Sequence, residues 1–95
     1  MRFAKVIGSV TLGECHPSFL GASLRLAVPL SLSDLAEETQ PTAEELVIYD
    51  DLGAGPGSLI AFTEGGEAAQ PFYPDKKPVD AYNAAIIDHM QLQLK

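Results

Sequence analysis

The composition of the chain limits what it can be. It has 95 residues, of which 13 are acidic and 6 basic, so its formal net charge is −7. A chain of this length forms one domain, residues 1–95, and leaves about a third of its surface exposed after folding. The acidic balance argues against a nucleic-acid or anionic-membrane partner, because phosphate binding depends on clustered Lys and Arg. No run approaches the ~20 apolar residues needed to span a bilayer, and the single cysteine, Cys15, allows no disulfide within the chain.

The N-terminal sequence predicts a strand. Residues 2–12 alternate with period two and are rich in β-branched side chains. Because no signal-peptide features precede this pattern, we expect a soluble cytoplasmic protein. Gly8 lies inside the strand and predicts a bend or a close backbone approach, as at a barrel corner. The two faces of the strand carry Phe3, Lys5, Ile7, Ser9 and Thr11 on one side, and Arg2, Ala4, Val6, Gly8, Val10 and Leu12 on the other.

A second strand and an acidic loop follow. In residues 23–30 the leucines and Val28 share one face, and Pro29, which cannot donate to a ladder, predicts that the strand ends there or lies at an edge. Residues 31–45 contain acidic side chains and no basic one. We interpret this segment as a solvated acidic loop, in which Ser33 or Thr42 could cap a short helical turn.

The centre of the sequence is a glycine-rich corner between two strand-like segments, within residues 46–63. Gly53, Gly55 and Gly57 permit positive φ and close backbone approach, and Pro56 fixes one φ between them. The glycine spacing is not G-x-G-x-x-G and no Lys-Ser or Lys-Thr follows, so the segment is not a phosphate-binding loop. The pattern predicts a shaped corner joining two strands.

The C-terminal part is harder to interpret. Residues 65–72 (GGEAAQPF) predict a turn and one short helical turn. Residues 79–94 favour a helix by propensity, yet Met90, Leu92 and Leu94 alternate with polar residues as a strand would. The residue pattern leaves both alternatives open.

Cys15 and His16 are adjacent in the sequence and are of residue types that can act as a nucleophile and a general base. Neighbouring residues seldom face each other, and Pro17 holds His16 in an extended conformation. Nothing nearby supplies the base and the electropositive setting that a thiolate site needs. We therefore expect no catalysis at this pair.

The sequence also offers no recognisable metal site. His16, His89 and Cys15, taken with Asp50 or Asp51, match no zinc-ligand spacing. Asp50 and Asp51 end a strand before a glycine, where a carboxylate commonly accepts hydrogen bonds from turn N–H groups. We expect a structural role for these carboxylates, and neither a metal nor a cofactor.

Four motifs carry a resemblance that composition does not. They are AKVIGSV at 4–10, HPSFLGASLRLAVPL at 16–30, YDDLGAGPGSLIAFTEG at 49–65 and PVDA at 78–81. In this order they resemble the EutN/CcmL family, the pentameric vertex proteins of bacterial microcompartment shells, including carboxysomes. The match spans nearly the whole chain, and the glycine corner with its preceding aspartate and following PVDA is the specific part.

The resemblance implies an all-β fold, a small OB-like closed barrel of about five strands with a short helical turn, in which the C-terminal segment is the closing strand. It implies a non-enzymatic homopentamer at five-fold shell vertices in the bacterial cytoplasm, in contact with hexameric and pseudohexameric shell proteins. A corner near the pentamer axis or interface would comprise Gly53, Ala54, Gly55, Gly57 and Ser58. Further structural motif residues would be Gly8, His16, Pro17, Asp50, Pro78 and Asp80.

The chain departs from the family pattern at four places. Glu14 and Cys15 precede His16 where a basic residue is usual, and Ser58 stands where the corner commonly carries Glu. The 31–45 loop is longer than expected, and residues 82–85 replace an apolar stretch that ends in glycine. Two alternatives to a shell protein follow from the residues: an OB-fold nucleic-acid-binding module, and a small enzyme using His16 or Asp50 between subunits.

Overall fold

The computed structural model describes residues 1–13, 23–37, 43–73 and 80–92. These residues form five strands, one short α-helix and one 3₁₀ helix. The elements are β1 (Arg2–Val10), β2 (Leu24–Leu30), α1 (Leu32–Glu37), β3 (Leu46–Tyr49), β4 (Leu59–Glu64), the 3₁₀ helix (Gly65–Phe72) and β5 (Ala81–Ile86). Within the described ranges, no helix is long and apolar enough to cross a membrane.

The five strands close into a barrel in the order β1-β2-β3-β5-β4. All pairs are antiparallel except β3 with β5, which run parallel and meet at Tyr49 and Tyr82. The expected all-β closed barrel with a short helical turn is therefore confirmed. The 3₁₀ helix occupies the GGEAAQPF segment, as the sequence indicated.

The ambiguous C-terminal segment supplies the closing strand. β5 lies between β4 and β3, so without it the barrel would have two open edges. Tertiary pairing thus overrides the helical propensity of its alanines. The strand ends at Ile86, and the alternation of Met90 with Leu92 forms no strand within residues 87–92.

A β-bulge in β1 changes which side chains face the barrel interior. The β1–β2 register shifts between Val6 and Gly8, so that Ile7 is the extra residue. Ala4 and Val6 lie in the interior core, whereas Val10 packs with Leu24 in a second cluster on the opposite face. A one-residue slip transfers every later side chain to the other face of the sheet. The bend expected at Gly8 is confirmed, but the prediction that Val10 shares a face with Ala4 and Val6 is wrong.

The barrel interior is filled by small and medium apolar side chains. These residues are almost completely buried, and the larger Ile48, Ile60 and Phe62 are the bulkiest of them. The remaining members of this cluster are Ala4, Val6, Ala27, Ala54 and Ala81, with Leu46 packed against them. Small residues suit the interior of a narrow barrel, where little space remains for side chains.

A second apolar cluster lies on the outer face, beneath the 3₁₀ helix. Leu24 of β2 and Tyr49 of β3 are paired and share this face with Ala68 of the helix. Phe72 and Tyr82 complete the cluster, with ring centroids 5.4 Å apart in an edge-on arrangement. The apolar face of β2 predicted from its leucines is therefore this outer face, while Arg25, Ala27 and Pro29 alternate toward the interior.

Pro29 occupies a part of β2 that pairs on one side only. It lies opposite Ala4 of β1, whereas β3 pairs with residues Leu24 to Ala27 and does not reach it. A residue without an N–H group is tolerated where the ladder has no second neighbour. β2 nevertheless continues to Leu30 and lies between β1 and β3, so the prediction that the strand ends at Pro29 or lies at an edge is wrong for the strand as a whole.

The acidic segment begins with a capped helix. The Ser31 Oγ atom accepts a hydrogen bond from the Asp34 N–H at 3.1 Å, and the Ser31 N–H donates to the Asp34 carboxylate at 2.9 Å. This reciprocal pair is a capping box, so Ser31 is the cap of α1 and the prediction of Ser33 is wrong. Thr42 lies outside the described residues. Ala43, Glu44 and Glu45 are exposed, as a solvated loop requires.

The outer cluster predicts an asymmetry between two adjacent aromatic residues. Phe72 packs edge-on against Tyr49 at 4.8 Å between ring centroids, whereas the Tyr73 side chain is 81% exposed. We expect Phe72→Ala to lower the free energy of unfolding by about 2 kcal/mol, less than a fully buried ring would lose. Tyr73→Ala should change it by less than about 0.5 kcal/mol. Urea unfolding of both variants checks this, and equal losses would contradict the described packing.

Candidate functional site

The glycine corner is built around the carboxylate of Asp50, which is 1% exposed. Its Oδ1 atom accepts hydrogen bonds from the Leu52 N–H at 3.0 Å and the Asn83 amide at 2.9 Å. Its Oδ2 atom accepts from the Ala54 N–H at 2.8 Å and lies 3.3 Å from the Arg25 Nε atom. The carboxylate therefore accepts three hydrogen bonds, two at Oδ1 and one at Oδ2, and Oδ2 is also paired with the Arg25 guanidinium.

Strand alternation explains why these groups meet. Asp50 follows β3 in the interior phase set by Ile48, and its N–H donates to the Ser23 carbonyl at 2.8 Å, which extends the β2–β3 pairing. Arg25 has the interior phase of β2, and Asn83 that of β5. A buried carboxylate is tolerated when it is paired and fully hydrogen-bonded, and this one is.

Ala54 connects the corner to the barrel core. Its side chain is buried among the interior residues. Its N–H donates to Asp50, and its carbonyl accepts from the Arg25 Nε atom at 2.6 Å. The corner thus folds inward at Ala54 and covers the end of the barrel at which β3 finishes and β4 begins.

The second half of the corner is a β-turn from Gly55 to Ser58. The Ser58 N–H donates to the Gly55 carbonyl at 3.0 Å, and Gly57 has φ +89°. Proline at the second position and a positive-φ glycine at the third define a type II turn. The turn is joined to β1, because the Gly57 N–H donates to the Val6 carbonyl at 2.7 Å and the Val6 N–H donates to Ser58 at 2.9 Å.

The three corner glycines are not equivalent. Gly53 and Gly57 have positive φ, at +79° and +89°, whereas Gly55 does not. A Cβ atom added at any of the three would meet no heavy atom of this chain within 4 Å. Within one subunit the corner is therefore open, and only Gly53 and Gly57 are required by backbone conformation.

A weaker polar contact borders the corner. The Tyr82 hydroxyl donates to the exposed Asp51 carboxylate at 3.4 Å, and its ring stacks on Tyr49 at 6.3 Å between centroids. Burial, followed by the nearby Asp51 carboxylate, raises the pKa of the Tyr82 hydroxyl above its ordinary value. Both effects disfavour the phenolate.

The other residues singled out in the sequence are distributed differently. Gly8 follows the bulge, two residues along β1 from Val6, which binds the corner, and the Asp80 carbonyl accepts a hydrogen bond from the Gly65 N–H at 2.8 Å. Cys15, His16, Pro17 and Pro78 lie outside the described residues. His89 is exposed, and no group of three His, Cys, Asp or Glu residues in the described ranges could hold a metal ion.

Sequence reasoning found the turn-accepting role of Asp50, which the Leu52 and Ala54 hydrogen bonds confirm. It missed Arg25 and Asn83 as partners of the same carboxylate. The available signal was the phase of Arg25, which alternates with Leu24 and Leu26 and so faces away from them. No such pattern pointed to Asn83, because the sequence of residues 79–94 did not clearly predict a strand.

The fold and the corner define a class: a small closed β-barrel with one end covered by a glycine turn anchored on a buried carboxylate. The family model described as "Ethanolamine utilisation protein EutN/carboxysome" matches residues 1–88. The chain belongs to this EutN/CcmL family.

Several relatives extend the comparison. The carboxysome shell vertex protein CcmL of Gloeobacter violaceus is 35% identical over 93% of this chain and 83% of its own length. The microcompartment shell vertex protein PduN of Salmonella typhimurium is 31% identical over 93% of this chain and 96% of its own. The solved Gloeobacter violaceus CcmL structure is 29% identical and superposes with a TM-score of 0.83 over 97% of this chain and 90% of that one. The pentameric microcompartment shell protein GrpN of Rhodospirillum rubrum is 27% identical, with a TM-score of 0.80 over 98% and 100%.

The raised pKa of Tyr82 predicts a loss of stability in alkali. Since the folded state holds the phenol proton more tightly than the unfolded state, unfolding becomes easier as pH rises above about 10, the ordinary tyrosine pKa. Tyr82→Phe keeps the ring contacts and removes the titrating group. We expect the melting temperature of the parent to fall more than that of this variant between about pH 8.5 and about pH 11. The upper pH is roughly one unit above the ordinary tyrosine pKa. Identical losses would show that Tyr82 titrates as in the unfolded chain.

Proposed function

We propose that this protein is a structural shell protein, of which five copies form a ring that occupies the five-fold vertices of a bacterial microcompartment. The observation that carries the proposal is the near full-length similarity to proteins named shell vertex proteins, at 35% and 31% identity. The similarity to the structure of GrpN, which is described as a pentameric shell protein, supports the ring of five.

The surface of the isolated subunit supports association. Large apolar side chains that are 40% exposed or more occur on several elements of the described residues. They are Met1, Ile7, Leu12, Leu32, Val47, Leu52, Tyr73, Ile86 and Leu92. A ring is built from head-to-tail contacts in which two different patches meet, so apolar groups on different elements suit it.

We further propose that the corner at Gly53, Ala54, Gly55, Gly57 and Ser58 lies near the ring axis or the interface between subunits. The support is the open space around the glycines of a corner that is itself held in one shape. Bare backbone on a fixed turn allows a neighbouring copy to approach closely. Any group at an axis is repeated by every copy, so uncharged small residues avoid a ring of like charge.

This role requires no catalysis, no cofactor and no nucleic acid. Two basic side chains of the described residues, Arg2 and Arg25, are already paired with Glu64 and Asp50, which weakens the nucleic-acid alternative. The proposed partners are the hexameric and pseudohexameric shell proteins that tile flat faces. The proposed location is the shell of a compartment in the bacterial cytoplasm.

Native mass spectrometry at micromolar concentration tests whether the protein forms a ring of five. Two glycine variants test whether the corner lies at the interface between subunits. Gly55 precedes proline, where an extended backbone suits a β-branched residue, and a Cβ there meets nothing in the subunit. We therefore expect Gly55→Val to fold but to lose the pentamer, because the added methyl groups obstruct the neighbour. Gly13→Val is the matched control, since a Cβ at Gly13 also meets nothing, and it should remain pentameric.

Each result bears on a different part of the proposal. A parent protein that is a stable monomer, dimer or hexamer contradicts the vertex function. A pentameric parent whose Gly55→Val variant is also pentameric contradicts only the placement of the corner.

The Gly55→Val and Gly13→Val variants also test the proposed vertex function in the native host. Flat tiles alone form sheets or tubes, so deletion of the gene should leave shells unclosed or elongated in electron tomograms. Gly13→Val should restore closed shells and Gly55→Val should not, because capping depends on several copies engaging together. Closed shells in the deletion strain, with no second vertex protein encoded, would remove the structural role.

A further inference from the structure

The Asp50 carboxylate joins parts of the chain that are distant in sequence. Arg25 of β2 and Asn83 of β5 bind it from two strands, and it binds the Leu52 and Ala54 N–H groups of the corner. We call Arg25, Asp50 and Asn83 the anchor cluster. All its contacts to the corner are made within one subunit.

We infer that the anchor cluster is a positioning device for assembly: it sets the shape of the corner in the single subunit, before a neighbouring copy binds. This inference rests on the proposed ring and on the corner as its contact surface. The cluster acts through the corner, since Asp50 and Asn83 are each 1% exposed and lie beneath the surface.

The chemistry of the carboxylate makes the device specific. An ionised carboxylate only accepts hydrogen bonds, and here Oδ1 accepts two, while Oδ2 accepts one and is paired with the Arg25 guanidinium. An asparagine side chain has one acceptor oxygen and one NH₂ group, which is itself a donor. Asp50→Asn therefore preserves the size of the side chain, yet it must turn its NH₂ group either toward the Leu52 and Asn83 donors or toward the Ala54 N–H and the Arg25 guanidinium.

The first half of the corner is held by the buried Ala54 side chain and by backbone hydrogen bonds to the anchor cluster. The turn at Gly55–Ser58 is tied to β1 through Val6, whereas Leu52 and Ala54 give their N–H groups to Asp50. Gly53, with its positive φ, lies between those two bonds. The position of the first half of the corner relative to the barrel thus depends on the anchor cluster.

The test compares Asp50→Asn with two controls in the full chain. Glu64→Gln makes the same change of charge at the exposed Arg2–Glu64 pair, which is 2.9 Å long and does not involve the corner. Ile60→Val weakens the interior core without touching the anchor cluster. The readouts are amide hydrogen exchange at Leu52 and Ala54, and the pentamer fraction by native mass spectrometry.

We expect Asp50→Asn to speed exchange at Leu52 or Ala54 by about tenfold, as when a hydrogen bond to a charged acceptor is lost. We also expect it to lower the pentamer fraction, while Glu64→Gln and Ile60→Val behave as the parent in both readouts. Parent-like exchange and pentamer fraction in Asp50→Asn overturn the inference. An equal loss of pentamer in Ile60→Val also overturns it, because general destabilisation would then suffice.

A milder variant keeps the test decisive if Asp50→Asn does not fold. Asn83→Ala removes one donor to Oδ1 and leaves the two turn N–H groups and the Arg25 ion pair, so it should show smaller changes of the same kind. Parent-like behaviour of a folded Asn83→Ala variant then overturns the inference. If the parent itself forms no ring, the vertex function fails, while amide exchange still shows whether the cluster holds the corner.

Discussion

A single buried carboxylate organises this barrel, because an unpaired charge inside a small domain would cost several kcal/mol. Asp50 avoids that cost only if Arg25, Asn83 and two turn N–H groups occupy fixed positions around it. Those positions belong to β2, β5 and the corner, so satisfying one side chain fixes how three parts of the chain are arranged. Hydrogen bonds depend on both distance and angle, so a shift of either strand or of the corner would weaken those to the carboxylate.

The local features of the fold could be predicted because they depend on neighbouring residues. Period-two alternation identified β1 and β2, and a Pro-Gly pair such as Pro56-Gly57 favours a type II turn. The corner was located correctly for the same reason, together with the hydrogen bonds that Asp50 makes to its own turn. What failed was the identity of the faces beyond Gly8, since a bulge depends on the partner strand and leaves no distinct mark in the sequence.

The features that escaped prediction are those set by distant contacts. β5 resembles a helix until the unpaired edges of β3 and β4 are considered, and only the resemblance to the family indicated a strand there. The outer cluster was missed because the leucine face of β2 would be assigned to a barrel interior, yet the 3₁₀ helix covers it from outside. In this narrow barrel the interior holds several alanines and one ring, Phe62, whereas the rings of Tyr49, Phe72 and Tyr82 pack in the outer cluster.

These constraints together explain why the backbone of the corner is fixed although most of its residues are small. A turn made of small residues would ordinarily be mobile, because glycine gives the backbone more freedom than any other residue. Here Asp50 fixes Leu52 and Ala54, Pro56 fixes its own φ, and Val6 fixes Gly57 and Ser58, so little freedom remains. A surface that is ordered before it is covered loses less conformational entropy on association. Since all of these bonds are made within one subunit, the shape of the corner does not depend on a neighbouring copy, and an interface at this corner, as proposed above, would require little ordering.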